Sequence, residues 1–187
     1  NTYTDLNWRS KIMWELYITR IQDQEYNGRA RTLSRYKLLI NGQVTNIKGY
    51  MCEPCGPSSN ETKGNRIGVG RYGVSTQFGK YVSIDYSETP IAQSGKMPSF
   101  RLLDTGNRSD ILVHNAHTKI EDGISDLWLS SIGCFNPTER IKPNQEMDFN
   151  DTWQKTIQLI ESLKSFAPIA FQGEKINQII PNAFVIV

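Results

Sequence analysis

Cys134 and His114 are the residues whose types and spacing could perform nucleophilic chemistry. Cys134 lies in the segment Ser-Ile-Gly-Cys-Phe-Asn (131–136), and His114 ends the apolar run Ile-Leu-Val-His (111–114). The chain has only two histidines, and both lie in this region. A cysteine attacks as its thiolate, and a neutral imidazole within hydrogen-bond reach is a common way to generate one. The sequence therefore predicts Cys134 as nucleophile and His114 as its base, with a thiol pKa below the roughly 8.5 of a free cysteine.

The pattern resembles the active-site motif of bacterial L,D-transpeptidases of the YkuD type. That motif is a histidine, a spacer, then Ser/Thr-His-Gly-Cys, an apolar residue, and Asn or Arg. Here sixteen residues separate His114 from Ser131, and the one departure is Ile132, where the family usually has a second histidine. The chain resembles more closely an uncharacterised bacterial and phage family related to these enzymes. The matching segments lie within residues 15–166 and are 32–42, 70–74, 108–114 (Arg-Ser-Asp-Ile-Leu-Val-His) and 133–135 (Gly-Cys-Phe).

The resemblance implies a cysteine acyl-transfer enzyme acting on peptidoglycan stem peptides, as an L,D-transpeptidase or an L,D-carboxypeptidase. Cys134 would attack the carbonyl that follows a diaminoacyl residue, and backbone N–H groups around Gly133 would bind the oxyanion. No metal or organic cofactor is implied. Two alternatives remain open. One is an antibacterial effector that uses the same chemistry and has an immunity protein as its partner. The other is a non-catalytic module that binds the cell wall or a protein, which the isoleucine at position 132 suggests.

Five further residues are candidates for supporting or substrate-binding roles. Asn115 takes the family position that orients the histidine, often through its backbone carbonyl, or it is an ordinary strand-end asparagine. Arg108 could bind a substrate carboxylate through a bidentate fork, or form a surface salt bridge. His117 could be an exposed and inert loop residue, or could replace the family histidine missing at position 132. Ser131 and Asn136 are candidate donors in the pocket wall, or turn residues.

The composition bears on the binding partners, the number of domains and the cellular location of the protein. The chain has 187 residues, and its 21 basic and 19 acidic residues nearly balance. No run of Lys and Arg is longer than a pair, which argues against a nucleic-acid partner. No segment approaches the roughly eighteen apolar residues of a membrane span. We expect one domain over 1–187 in a periplasmic or extracellular setting. Because the chain begins at Asn1, we expect a trimmed or processed start, and removal of an export signal stays open.

The other two cysteines, Cys52 and Cys55, form the sequence Cys-Glu-Pro-Cys and leave Cys134 single. A redox motif of this spacing should precede a helix, whereas Gly-Pro-Ser-Ser (56–59) follows here. We therefore expect either a local disulfide, which would favour an oxidising compartment, or two free thiols. Histidine and cysteine are also zinc ligands, but their spacing here matches no structural zinc site.

The elements that must position these residues are mostly strands. The segment 14–21 alternates apolar and polar residues, which is typical of a half-buried strand. Similar patterns predict strands over 36–40, 44–50, 70–75, 81–86, 100–103, 111–114 and 183–187, with turns at 27–28 and 41–42 and a loop over 53–66. One helix is predicted, capped by Asn150 or Asp151, with an apolar stripe of Trp153, Ile157, Ile160 and Leu163. The predicted fold class is mainly β (α+β), an L,D-transpeptidase-like domain of mixed sheets with one C-terminal amphipathic helix.

Overall fold

The structure, a computed structural model, describes residues 12–90, 96–118, 125–173 and 176–187. These ranges contain nine strands, one α-helix and one short 3-10 helix. The strands are β1 (Trp14–Tyr26), β2 (Arg29–Ile40), β3 (Gln43–Pro54), β4 (Arg71–Ser75), β5 (Tyr81–Val82), β6 (Met97–Leu102), β7 (Leu112–His114), β8 (Asn136–Thr138) and β9 (Ile179–Ile186). Helix α1 spans Phe149–Phe166, and the 3-10 helix spans Pro168–Phe171.

Two hairpins form the longest part of the sheet. The turns that join β1 to β2 and β2 to β3 are both Asn-Gly, and all four turn residues have a φ between 50° and 74°. A two-residue hairpin turn of type I′ needs positive φ at both positions, and asparagine and glycine adopt it most readily. Both predicted turns are confirmed. The strands extend further than predicted, and β3 continues to Pro54, so that the Cys-Glu-Pro-Cys sequence begins inside a strand.

The sheet is mixed and curls until its two ends meet. The strand order is β5-β6-β4-β9-β1-β2-β3-β8, and β7 pairs with β6. β1 pairs with β9, and β5 with β6, in parallel. Val113 of β7 forms a parallel bridge with Phe135, which immediately precedes β8. Phe135 accepts a hydrogen bond from His114 N–H (3.0 Å) and donates one to the Leu112 carbonyl (2.9 Å). The predicted mainly β class with one helix is confirmed.

Helix α1 packs its apolar face against β6 and β8. The helix starts earlier than predicted, because Asp148 has extended backbone angles and its carboxylate accepts a hydrogen bond from Asp151 N–H (2.7 Å). The prediction of Asn150 or Asp151 as the cap is therefore wrong. Ile157, predicted in the apolar stripe, is only half-buried. The buried residues of the helix are Thr152, Trp153, Thr156, Leu159, Ile160 and Leu163.

Candidate active site

His114, the last residue of β7, is only 3 % exposed and has a defined tautomer. Its Nδ1 lies 2.6 Å from the backbone carbonyl of Asn115. Because a carbonyl only accepts hydrogen bonds, Nδ1 carries the proton and Nε2 carries the lone pair. Burial lowers the pKa of His114 to about 4. The ring is therefore neutral at pH 7, with Nε2 in the state that a general base requires.

Three side chains surround the His114 ring. Asn136 donates from Nδ2 to the His114 carbonyl (3.0 Å), and this nitrogen also lies 3.2 Å from Nδ1. Tyr81 stacks on the ring with centroids 4.6 Å apart, and the His117 ring is 5.1 Å away. The Tyr81 hydroxyl hydrogen-bonds His117 Nε2. His117 is 2 % exposed, so the prediction of an exposed loop residue is wrong. Tyr81 was missed because its only sequence signal was its place in a predicted strand.

The Cys134 sulfur lies at the end of the ladder that joins β7 to Phe135. Leu112 N–H donates a hydrogen bond to Cys134 Sγ (3.3 Å), in the place where a continuing parallel ladder would offer a backbone carbonyl. The Cys134 thiol in turn donates to the Asp110 carbonyl (3.3 Å). Ser131 Oγ donates to the Cys134 carbonyl (2.7 Å) and so braces the turn. The thiol is half-buried. In this position the sulfur is held by the backbone rather than by a side-chain base.

The thiol pKa differs from the sequence-based prediction. Burial raises the pKa of Cys134 to about 11, although the Leu112 N–H and the positive charge of Arg108 oppose this rise. The prediction of a pKa below that of a free cysteine is therefore wrong for the protein without substrate. The physical reason is that the thiolate would lose hydration at this site without gaining a partner of opposite charge in direct contact.

His114 and Cys134 lie at opposite ends of one short ladder. The sulfur contacts Leu112, and residues two apart in a strand are separated by about 7 Å. Within the described ranges no hydrogen bond joins the two side chains. The structure therefore brings His114 together with Asn115, Asn136 and His117, and brings Cys134 together with Ser131, Gly133 and Arg108, as two adjacent clusters.

Arg108 is buried, at 3 % exposure, and connects two loops. Its Nη1 donates to the carbonyls of Ser59 (3.0 Å) and Asn65 (2.6 Å), and its Nη2 donates to the carbonyl of Ile132 (3.1 Å). The predicted alternative of a surface salt bridge is wrong, because these partners are carbonyls and the guanidinium is enclosed. Burial lowers the pKa of Arg108, yet a guanidinium stays charged at neutral pH. Arg108 therefore places a fixed positive charge behind the turn that carries Cys134.

Gly133 is required by the close approach of this guanidinium. A Cβ at position 133 would lie 2.2 Å from Nη2 of Arg108 and 3.0 Å from Cδ1 of Ile111. The backbone there does not need positive φ, so the constraint is steric. The glycine before the cysteine therefore has a packing reason that the sequence motif alone does not give.

Two cavities meet at Ile132, whose side chain is 58 % exposed. A cavity of about 210 Å³ is lined by Cys134, Arg108, Lys63 and Asp110 as well as by Ile132. A second cavity of about 310 Å³ also borders Ile132 and extends towards Cys55 and Ser131. The nucleophile candidate thus opens into a space large enough for part of a ligand, whereas His114 is not among the lining residues.

Cys52 and Cys55 are both free thiols, so the alternative of a local disulfide is not realised in this structure. Cys52 is fully buried in β3, and burial raises its pKa to about 12. Within the ranges described, no three His, Cys, Asp or Glu side chains are grouped so that they could hold a metal ion. In the same ranges, no helix has the length and apolar character needed to cross a membrane.

Comparison with known proteins adds no assignment to this geometry. The chain matches no protein-family model, no curated protein and no solved structure. The motif resemblance therefore stays a prediction.

Proposed function

We propose that this protein is a cysteine-dependent acyl-transfer enzyme acting on peptidoglycan stem peptides, with L,D-transpeptidase or L,D-carboxypeptidase activity. One observation carries the proposal. The Cys134 thiol opens into a cavity at one end of a backbone ladder, and a neutral His114 whose Nε2 carries the lone pair stands at the other end. A peptidoglycan substrate implies a periplasmic or extracellular location.

The Cys134 thiol and the His114 imidazole are both neutral at rest, so attack must begin with a proton transfer between them. With a thiol pKa of about 11 and an imidazole pKa of about 4, no thiolate–imidazolium pair forms at pH 7. Cys134 must turn away from the Asp110 carbonyl and bring Sγ towards His114 Nε2. The imidazole then takes the thiol proton while the carbon–sulfur bond forms at the scissile carbonyl. The Asn115 carbonyl stabilises the imidazolium through its bond to Nδ1.

The same rotation releases a donor for the tetrahedral intermediate. Leu112 N–H, which holds the sulfur in the resting state, becomes free beside the reacting carbon. Together with backbone N–H groups at Gly133 and Cys134, it can donate to the oxyanion. The imidazolium then gives its proton to the departing amine, leaving a thioester on Cys134. Attack by a second amine yields a cross-link, and attack by water yields the shortened peptide.

The proposal is tested by covalent labelling and turnover. A carbapenem should acylate Cys134, as the resemblance to L,D-transpeptidases implies, and intact-protein mass spectrometry with peptide mapping would show the adduct. Cys55→Ser is the matched control and should keep the adduct, whereas Cys134→Ser should lose it. Purified stem peptides, followed by chromatography, should be cleaved or cross-linked by wild type and not by His114→Gln. A folded wild type that shows neither adduct nor turnover would contradict the proposal.

A non-catalytic binding module is the second candidate, and the resting geometry favours it in one respect. Within the described ranges no hydrogen bond joins the Cys134 and His114 side chains, and burial holds the pKa of the Cys134 thiol high. Peptidoglycan co-sedimentation separates the candidates. If the protein is a binding module, wild type and Cys134→Ser should co-sediment with peptidoglycan to the same extent, and neither protein should turn over stem peptides.

A further inference from the structure

Among the described residues, no carboxylate forms a salt bridge or hydrogen bond with the buried cation Arg108; the nearby Glu53 interacts with it electrostatically but is itself paired with Arg20. The hydrogen-bond acceptors of Arg108 are three neutral carbonyls, and its Nε, which is enclosed, has no partner. Arg31 provides a contrast within the same protein. It is also fully buried, but its Nε donates to Gln24 Oε1 (2.8 Å), both Nη atoms donate to carbonyls, and its guanidinium lies 4.3 Å from the Trp128 ring centroid. Buried polar groups are normally satisfied, whereas Arg108 keeps an unsatisfied N–H and a charge without a directly bound counter-ion beside the cavity that it lines.

The cavity that Arg108 lines carries an excess of positive charge. Lys63 borders the same cavity from the loop opposite. Asp110 also lines it, but its carboxylate is already paired with Arg101 Nη1 at 2.8 Å. Two cations therefore face one neutralised carboxylate across a space of about 210 Å³ that also contains the Cys134 sulfur. A partly enclosed site of this sign attracts anions more strongly than an open surface does.

We propose that the cavity beside Cys134 is a subsite for a substrate carboxylate, held by the charges of Arg108 and Lys63 next to the carbonyl that the sulfur attacks. This inference rests on the proposed function, because it assumes that the substrate enters the cavity of Cys134. It predicts substrate selectivity, because a substrate with a carboxylate next to the scissile carbonyl is preferred over the corresponding neutral amide. Arg108 supplies fixed charge, and Lys63, which is exposed, supplies charge that can be removed without disturbing the core.

A pair of small alkylating reagents tests the subsite. The same thiolate attacks iodoacetate and iodoacetamide and displaces iodide from each, so the ratio of the two rate constants does not depend on the thiol pKa. The Cys55→Ser background leaves Cys134 as the accessible thiol, because Cys52 is buried. Relative to N-acetylcysteine, the iodoacetate-to-iodoacetamide ratio at Cys134 should rise by about tenfold at low ionic strength and fall as salt is added. Lys63→Gln should lower the ratio several-fold, and the matched surface variant Lys48→Gln should leave it unchanged.

The outcomes separate the subsite from the proposed function. A ratio equal to that of N-acetylcysteine, with both reagents reacting at Cys134, overturns the subsite and leaves the nucleophile intact. A Cys134 thiol that neither reagent alkylates even at a pH of about 11 overturns the proposed function, and a propionate titration followed by the NMR shifts of the Gly133 and Cys134 amides then decides the subsite. Saturable shifts that Lys63→Gln abolishes support it, and non-saturating shifts overturn it. If stem peptides are turned over, amidating their C-terminal or side-chain carboxylate in turn identifies which one raises KM.

Discussion

Gly133→Ala tests whether the turn before Cys134 is fixed by Arg108. The new Cβ would lie 2.2 Å from Nη2, so the guanidinium must retreat by about 1 Å to reach ordinary contact. That movement breaks the 3.1 Å hydrogen bond to the Ile132 carbonyl and weakens the two bonds from Nη1. A hydrogen bond to a charged group contributes about 1.5–3 kcal/mol, so we expect a loss of about 2–4 kcal/mol in the free energy of unfolding.

The assay is urea denaturation followed by tryptophan fluorescence, with a double-mutant cycle to identify the cause. Gly79→Ala is the control, because Gly79 is exposed and its added Cβ would meet only the flexible Gln77 side chain at 3.4 Å, which predicts a change under about 0.5 kcal/mol. In an Arg108→Ala background the clash with the guanidinium is absent and only the tight 3.0 Å contact with Cδ1 of Ile111 remains, so Gly133→Ala should cost less than about 1 kcal/mol. Additive costs in the double mutant would refute the steric reasoning.

Three further predictions concern titration and the pocket wall. The pKa of His114 is lowered to about 4, so the contribution of this residue to stability is complete above its unfolded pKa of about 6.5 and is lost as pH falls through 4. His114→Gln should therefore flatten the pH dependence of the unfolding free energy between these two pH values. An unchanged slope would contradict the burial of His114. Alkylation of ligand-free Cys134 should accelerate up to a pH of about 11, because the thiolate fraction rises with pH, and a rate plateau below pH 8 would show that the pKa is not raised. Compared with wild type, Ile132→His should gain up to roughly a hundred- to thousand-fold in turnover of stem peptides if the family histidine is an oxyanion donor, equivalent to about 2.7–4 kcal/mol. His117→Ala tests whether that residue takes the vacant role, and turnover absent from both wild type and Ile132→His would favour the binding module.

The parts of the fold predicted correctly are those determined by local sequence. The Asn-Gly turns need positive φ, and the alternating residues of β1 show one buried face. β8 was missed because its Asn-Pro-Thr sequence has no strand pattern and its pairing depends on the distant β3. β5 is two residues long rather than the six predicted, since only Tyr81 and Val82 find partners on β6. The helix start differed because Asp148 and Asn150 are equally suitable cap types by sequence alone.

The candidate site was predictable in its members but not in its arrangement. The scarce histidines and the Gly-Cys pair identified Cys134 and His114, whose relation across the ladder depends on tertiary pairing. Arg108 is held in its buried position by the carbonyls of Ser59 and Asn65, which lie 49 and 43 residues before it in the sequence. Tyr81 lies beside His114 only because β5 and β7 both pair with β6.

The Val113–Phe135 bridge gives the segment before β8 a second role besides positioning Cys134. Exposed strand edges carry unpaired N–H and C=O groups, which recruit other chains and lead to aggregation. Here the backbone that precedes β8 covers β7, so the contacts that fix Cys134 also shield an edge from intermolecular pairing. Substitutions that loosen this turn should therefore reduce the yield of monomeric protein before they lower the melting temperature.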